Sequence, residues 1–225
     1  MENRRTEKQR RNSTNFGKHP RKRYDNKSGT REAPPQKPAT VHILDYLPHG
    51  YENDNRPIHA RQPIIQAIDE NLLTLLEITP KEDEAPPSIG TIITTGGKDG
   101  LRIKRRITYD ELSRGAKLEL PISIQNIIDT DTARFMTIFN QPQAISPRLN
   151  TLNLIPGIGE KLMWEIIDAV KEKPFENFEE IEERIPTLYS TKQKVADRII
   201  QEIKGEEKYY LIATPPKQRY ERKTR

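Results

Sequence analysis

The chain has no cysteine and only one tryptophan among 225 residues, and its four histidines (His19, His42, His49 and His59) are scattered. Without thiols there is no disulfide framework, no thiolate metal site and no cysteine nucleophile, and imidazoles so dispersed give no zinc-ligand spacing. No cofactor and no metal are expected. Long apolar runs are also missing: nothing approaches the roughly 18 consecutive apolar residues of a membrane span, and the first residues are polar and basic. These absences predict a soluble cytoplasmic protein with no membrane partner. With 33% hydrophobic residues and 18 prolines against 11 glycines, one large core is hard to build, and two small modules with extended segments are expected.

The net charge of +5 is divided very unevenly. Residues 1–40 carry +8 and residues 214–225 carry +4, which leaves −7 on residues 41–213. An acidic body attracts a polyanion only through local patches or backbone donors, so long-range attraction falls to the basic ends. Residues 1–38 hold too few apolar side chains to offset the entropy of folding and end in Ala33-Pro-Pro-Gln-Lys-Pro38. They read as a disordered basic arm, and residues 206–225 as a basic C-terminal tail.

Strand patterns begin at Val41-His-Ile-Leu-Asp-Tyr-Leu47. Ile64-Ile-Gln-Ala-Ile68 and Leu72-Leu-Thr-Leu-Leu-Glu-Ile78, joined by Asp69-Glu-Asn71, predict a β-hairpin. Gly90-Thr-Ile-Ile-Thr94 and Leu101-Arg-Ile-Lys-Arg-Arg-Ile107, joined across Gly96-Gly-Lys-Asp-Gly100, predict a second. About five strands without early crossover helices suggest a small OB-like β-barrel over 39–120. Helical spacing of Ile124, Ile127, Ile128, Phe135, Ile138 and Phe139 then predicts connecting helices over 121–145. The fold class expected is α+β, the barrel being followed by an all-α paired helix-hairpin-helix domain over 146–205.

The sharpest motif lies in that last part. Ser146-Pro147 reads as an N-cap and first helical position, leading through Leu149, Leu152 and Leu154 into Ile155-Pro-Gly-Ile-Gly159. A second helix opens at once, with Leu162, Ile166 and Val170 four residues apart and Ile158 plugging the core between the two helices. Gly157 and Gly159 let the backbone approach a ligand, and the opening turn of the second helix presents unpaired N–H groups with a positive dipole. A phosphate fits there, with Lys161 pairing to its oxygens and Arg148 reaching the flank. Such contacts grip backbone and do not read sequence.

A second unit follows, Phe178-Glu-Glu-Ile-Glu-Glu-Arg-Ile185, a bend from Pro186 to Ser190, and a helix carrying Val195, Ile199 and Ile203. It lacks the glycines, and Glu179, Glu180, Glu182 and Glu183 repel phosphate. It is expected to buttress the first unit. This puts a symmetric minor-groove grip on DNA in doubt.

Residues 154–161 resemble the helix-hairpin-helix pattern at every position. Across 40–205 the chain resembles an archaeal family known as domain of unknown function 655, through Leu44-Asp-Tyr-Leu-Pro48, Arg102-Ile-Lys-Arg-Arg-Ile107, Tyr109-Asp-Glu-Leu112, Glu119-Leu-Pro121, Leu154-Ile-Pro-Gly-Ile-Gly159, Lys161-Leu-Met-Trp-Glu-Ile166 and Lys173-Pro-Phe-Glu176. The resemblance implies an RNA-binding role near the translation machinery, with no reaction established.

Arg102, Lys104, Arg105 and Arg106 are the dense basic cluster of the acidic body, and strand alternation puts Arg102, Lys104 and Arg106 on one face, where they can track a phosphodiester chain or merely solvate an edge. Tyr109 is a weak candidate for base stacking, and Trp164 is expected to be core or a domain contact. Asp129, Asp131 and the 82–84 carboxylates suggest a magnesium nuclease only faintly, since such pairs usually cap or solvate. The function expected is therefore non-catalytic binding of structured RNA, with ribosomal or RNA-processing proteins as possible company. The alternatives are a DNA-repair or architectural accessory protein and, behind it, the nuclease.

Overall fold

The structure is a computed structural model that describes residues 38–81, 85–96 and 101–216. The basic arm up to residue 37, the carboxylates at 82–84, the turn at 97–100 and the tail from 217 lie outside the described residues.

Five strands, β1 (Ala39–Leu47), β2 (Ile64–Asp69), β3 (Leu75–Thr79), β4 (Ile92–Thr95) and β5 (Arg102–Arg106), form one antiparallel sheet in the order β4-β1-β2-β3-β5. The sheet is curled into half a barrel. All six residues of β2 are buried, because the central strand is covered on both sides. Val41, Ile43, Ile65, Ala67, Leu76 and Ile78 make a small core on one side, while Leu44, Ile68 and Leu75 pack with the helices on the other. The expected β2–β3 hairpin forms, but its second strand starts at Leu75 and not Leu72, and Asp69 closes the longer turn by accepting from Leu72 N at 2.6 Å.

The expected hairpin of β4 with β5 is not what forms. β4 pairs with β1 and β5 pairs with β3, so the two strands occupy opposite edges of the sheet order, and Gly96 N donates to the Leu101 carbonyl at 3.2 Å between them. The physical reason lies in β3. Its Glu77 is buried (1% exposed) and needs cations, which β5 supplies through Lys104 at 2.6 Å and Arg105 at 2.8 Å. A glycine-rich connection is too permissive to impose local pairing against that requirement.

The helices are α1 (Arg114–Thr130), α2 (Thr132–Asn140), α3 (Glu160–Glu172), α4 (Phe178–Arg184) and α5 (Thr191–Lys204), with a short β6 (Ala144–Ser146) and β7 (Leu149–Asn150) between α2 and α3. Ser113 caps α1 by accepting from Ala116 N and donates its hydroxyl to Asp45, which fixes α1 against β1. Ile124, Ile127 and Ile128 on α1 and Phe135 and Phe139 on α2 are buried, as their spacing predicts, and Phe139 meets Phe178 of α4 edge-on at 6.2 Å.

Two separate modules were expected at 39–120 and 146–205, but a single apolar core runs from Leu44 and Ile68 of the sheet through α1 and α2 to Ile199 and Ile203 of α5. The curled sheet keeps the small core of Val41, Ile43, Ile65, Ala67, Leu76 and Ile78 on one face and buries its other face on these helices, so the helices share their core with the sheet. The tail expected from residue 206 is likewise corrected over 206–216. Buried Glu202 accepts backbone N–H bonds from Leu211, Ile212 and Ala213 at 2.7–2.9 Å, and Thr214 N reaches the Leu72 carbonyl at 3.1 Å. A carboxylate without exposure holds this segment because those amides and Arg198 replace its water.

Candidate nucleic-acid interface

The approach to the glycine motif differs from the helix expected at Ser146-Pro147. β6 and β7 make a tiny hairpin with Pro147 and Arg148 at its tip, and one 3-10 turn (Thr151–Leu154) follows. Asn150 starts that turn by accepting from Leu152 N at 3.0 Å, while Asn153 Oδ1 accepts from Asn150 N at 2.9 Å. This reciprocal side-chain bonding competes with helix propagation and places the start four residues later than Ser146. Arg148 is therefore an exposed hairpin-tip residue and not the flank of a helix.

The corner itself has the expected form. Ile155 and Ile158 are buried, so Ile158 serves the motif as a packing plug and contributes only backbone to the surface. Gly157 has φ +83°, which a β-carbon would strain, whereas Gly159 has φ −83° and a β-carbon there would meet nothing within 4 Å. Gly159 is the N-cap of α3, and no side chain caps that helix. Its opening amides therefore lie at an exposed surface formed by Gly157, Gly159, Glu160 and Lys161. The Lys161 side chain is 90% exposed and only 3.7 Å from Glu165, a loose solvated pair that leaves its charge available.

The second unit (α4, the 185–190 bend and α5) is sealed. Glu182 Oε1 accepts from Thr191 N at 2.7 Å, so the protein's own carboxylate occupies the amide end of α5. Lys192, one step into α5 as Lys161 is into α3, is held by Asp129 at 2.5 Å. Glu182 is one of the four glutamates expected to repel phosphate, and it bonds the start of α5 directly. What the second unit supplies instead is Lys194, whose Cε would lie 3.1 Å from a β-carbon on Gly157, and Tyr189, under the Lys194 ammonium. Sequence reasoning missed both. A lysine in the first turn of α5 was a visible signal, but its seat against Gly157 depends on how the two units pack.

The strand cluster is partly spent on the fold. A bulge in the β3–β5 register lets neighbouring Lys104 and Arg105 both reach Glu77, and Arg105 also pairs with Glu111 at 2.7 Å. Simple alternation is thus broken at Lys104. Burial alone would raise the Glu77 pKa, but hydrogen bonds from Lys104 and Tyr51 and the charge of Arg105 hold it below the usual carboxylate range. Arg102 and Arg106 are exposed and make no ion pair among the described residues.

The family description "Protein of unknown function (DUF655)" matches residues 38–214 of this chain. The chain belongs to the DUF655 family. A Methanocaldococcus jannaschii protein described as uncharacterized is 34% identical over 174 residues, covering 76% of this chain and 77% of its own length. The crystal structure of a DUF655 protein from Archaeoglobus fulgidus is similar at a TM-score of 0.70 with 37% identity, over 78% of this chain and 99% of that one. Both relatives are archaeal. The match spans the sheet, the glycine corner and the segment returning over Glu202.

The remaining candidates in this DUF655 chain sort by exposure. Tyr109 packs against the core with the Lys117 and Lys204 ammonium groups 5.1 and 5.4 Å from its ring, which takes it out of stacking. Trp164, expected to be core or a domain contact, is not core: it is 53% exposed on the outer side of α3, because the buried stripe of that helix is Met163 and Ile166. Asp131 caps α2 by accepting from Arg134 N at 3.3 Å, and Asp129 pairs with Lys192. Among the described residues no three His, Asp or Glu side chains converge as metal ligands, and no helix is long and apolar enough to cross a membrane.

Proposed function

We propose that this protein binds nucleic acid without catalysing a reaction, that its ligand is structured RNA, and that it grips the sugar-phosphate backbone at the corner of Gly157, Gly159 and Lys161. One observation carries the reading: two helices begin after comparable bends, and the one behind the glycines is left uncapped and exposed while the other is closed by Glu182. An uncapped, glycine-lined helix start beside an exposed ammonium that is only loosely paired attracts phosphate oxygens through fixed N–H donors and charge. We read residues 151–172 and 178–204 as a helix-hairpin-helix pair with one working member, and the curled sheet as an OB-like half-barrel presenting Arg102 and Arg106. The charges of the chain ends, +8 over 1–40 and +4 over 214–225, suit a cytoplasmic protein of ribosomal or RNA-processing assemblies. A symmetric duplex-DNA grip fits less well, because the second unit offers no free helix start.

Gly159→Asp provides the test. Aspartate is favourable at an N-cap and the site has room, so thermal stability should hold or rise while the carboxylate fills the anion position. Binding of an RNA hairpin, measured by anisotropy at two salt concentrations, should weaken about tenfold or more relative to the natural chain. Equal affinity would remove the corner from the mechanism, and tighter binding of a DNA hairpin of the same sequence would turn the reading toward a DNA-binding accessory protein.

A further inference from the structure

Tyr189 is 69% exposed, while its neighbour Leu188 is fully buried. Packing therefore uses Leu188 and leaves the ring of Tyr189 outside. The next residue, Ser190, has φ +52°, so the chain turns sharply into α5 and Tyr189 sits at the apex of the bend. The Lys194 ammonium lies 4.1 Å from the centroid of that ring and donates to the Tyr189 carbonyl at 2.6 Å, which fixes lysine and ring relative to each other. The stem of the same lysine runs against Gly157, 3.1 Å from where a β-carbon would stand. An aromatic ring left largely in water, a cation and the glycine corner are thus joined in one continuous surface.

We propose that Tyr189, backed by Lys194, is a stacking platform for one unpaired base of the bound strand, with the adjoining phosphate at the Gly157 to Gly159 corner. This rests on the reading of that corner as a phosphate site. The chemistry is that of single-strand binding: a flat ring, covered by a cation on one side, accepts any base on the other because every base has a π face, and the cation draws the flanking phosphate. The contact narrows the ligand class. A fully paired helix keeps its bases stacked on one another, so the surface selects RNA with an unpaired nucleotide at a loop, bulge or end.

The test uses the full chain with a ten-nucleotide oligoribonucleotide carrying 2-aminopurine and a blunt twelve-base-pair RNA duplex. Tyr189→Ser should weaken binding of the oligoribonucleotide about tenfold and abolish quenching of its 2-aminopurine, while duplex binding changes little. Tyr189→Phe should restore both signals, because it keeps the ring and loses only the hydroxyl. The exposed ring and the unaltered backbone acceptor for Lys194 mean that neither variant threatens the fold. Unchanged affinity and quenching in Tyr189→Ser would overturn the stacking role; with Gly159→Asp still impaired, the corner would survive it. A natural chain that binds neither RNA would end both.

Discussion

The carboxylate of Glu182 accepts the Thr191 backbone N–H at 2.7 Å across nine residues of chain. It stands in for the cap that α5 lacks, since Ser190 makes no side-chain cap bond. Glu182→Ala should cost about 1 kcal/mol in chemical denaturation, the usual worth of a helix cap, and Glu182→Gln less because its amide oxygen still accepts. A cost below about 0.3 kcal/mol for alanine would mean that water replaces the carboxylate and that the second helix start is not sealed.

Glu77 links the fold to the basic strand. It receives the Tyr51 hydroxyl at 2.8 Å, Lys104 at 2.6 Å and Arg105 at 2.8 Å. Glu77→Gln should destabilise the protein by roughly 1–3 kcal/mol, less than for a fully buried pair because both cations are about half exposed. The substitution also frees the charge of Lys104 at the sheet edge, while Arg105 keeps its pair with Glu111. RNA affinity should rise if that edge lies along the phosphate chain; a loss of stability with unchanged affinity confines recognition to the glycine corner.

His42 lies buried on β1 with neither ring nitrogen hydrogen-bonded, and Glu70 Oε2 is 3.8 Å from its Nε2. Burial pushes its pKa down, and the attraction of Glu70 offsets this only in part. The unfolded chain therefore takes up the proton at a higher pH than the folded one. Stability from this site is full above the unfolded value of about 6.5 and is lost as pH falls through the lowered folded value. Melting temperatures taken between pH 7.5 and 5.5 should decline in the natural chain and stay nearly level in His42→Leu, which leaves no ring to protonate. Parallel profiles would assign the decline to other groups.

What the amino-acid sequence discloses of this fold falls off with distance along the chain. The β2–β3 hairpin, the helical stripes of α1 and α2 and the Ile155–Gly159 bend are legible because each is settled by residues within a few positions of one another. The helix expected at Pro147 failed on a local rule, since reciprocal asparagine bonding at Asn150 and Asn153 outweighed a Ser-Pro start signal. The β4–β5 hairpin failed on a distant one, the need of Glu77 for Lys104 and Arg105. Trp164 does not join the core, one of its two expected places, because the stripe of α3 leaves it just outside the buried arc.

The sequence by itself determined that a glycine-lined corner exists at 157–161, that a lysine stands beside it, and that the positive charge is concentrated at the chain ends. Only the tertiary structure decided that the second helix start is filled by Glu182, that Tyr189 and Lys194 lie against Gly157, and that sheet and helices share one core. Backbone conformation at a bend is fixed by the residues in it. Which side chain covers a helix end or neutralises a buried carboxylate depends on surfaces that meet only after the chain has folded.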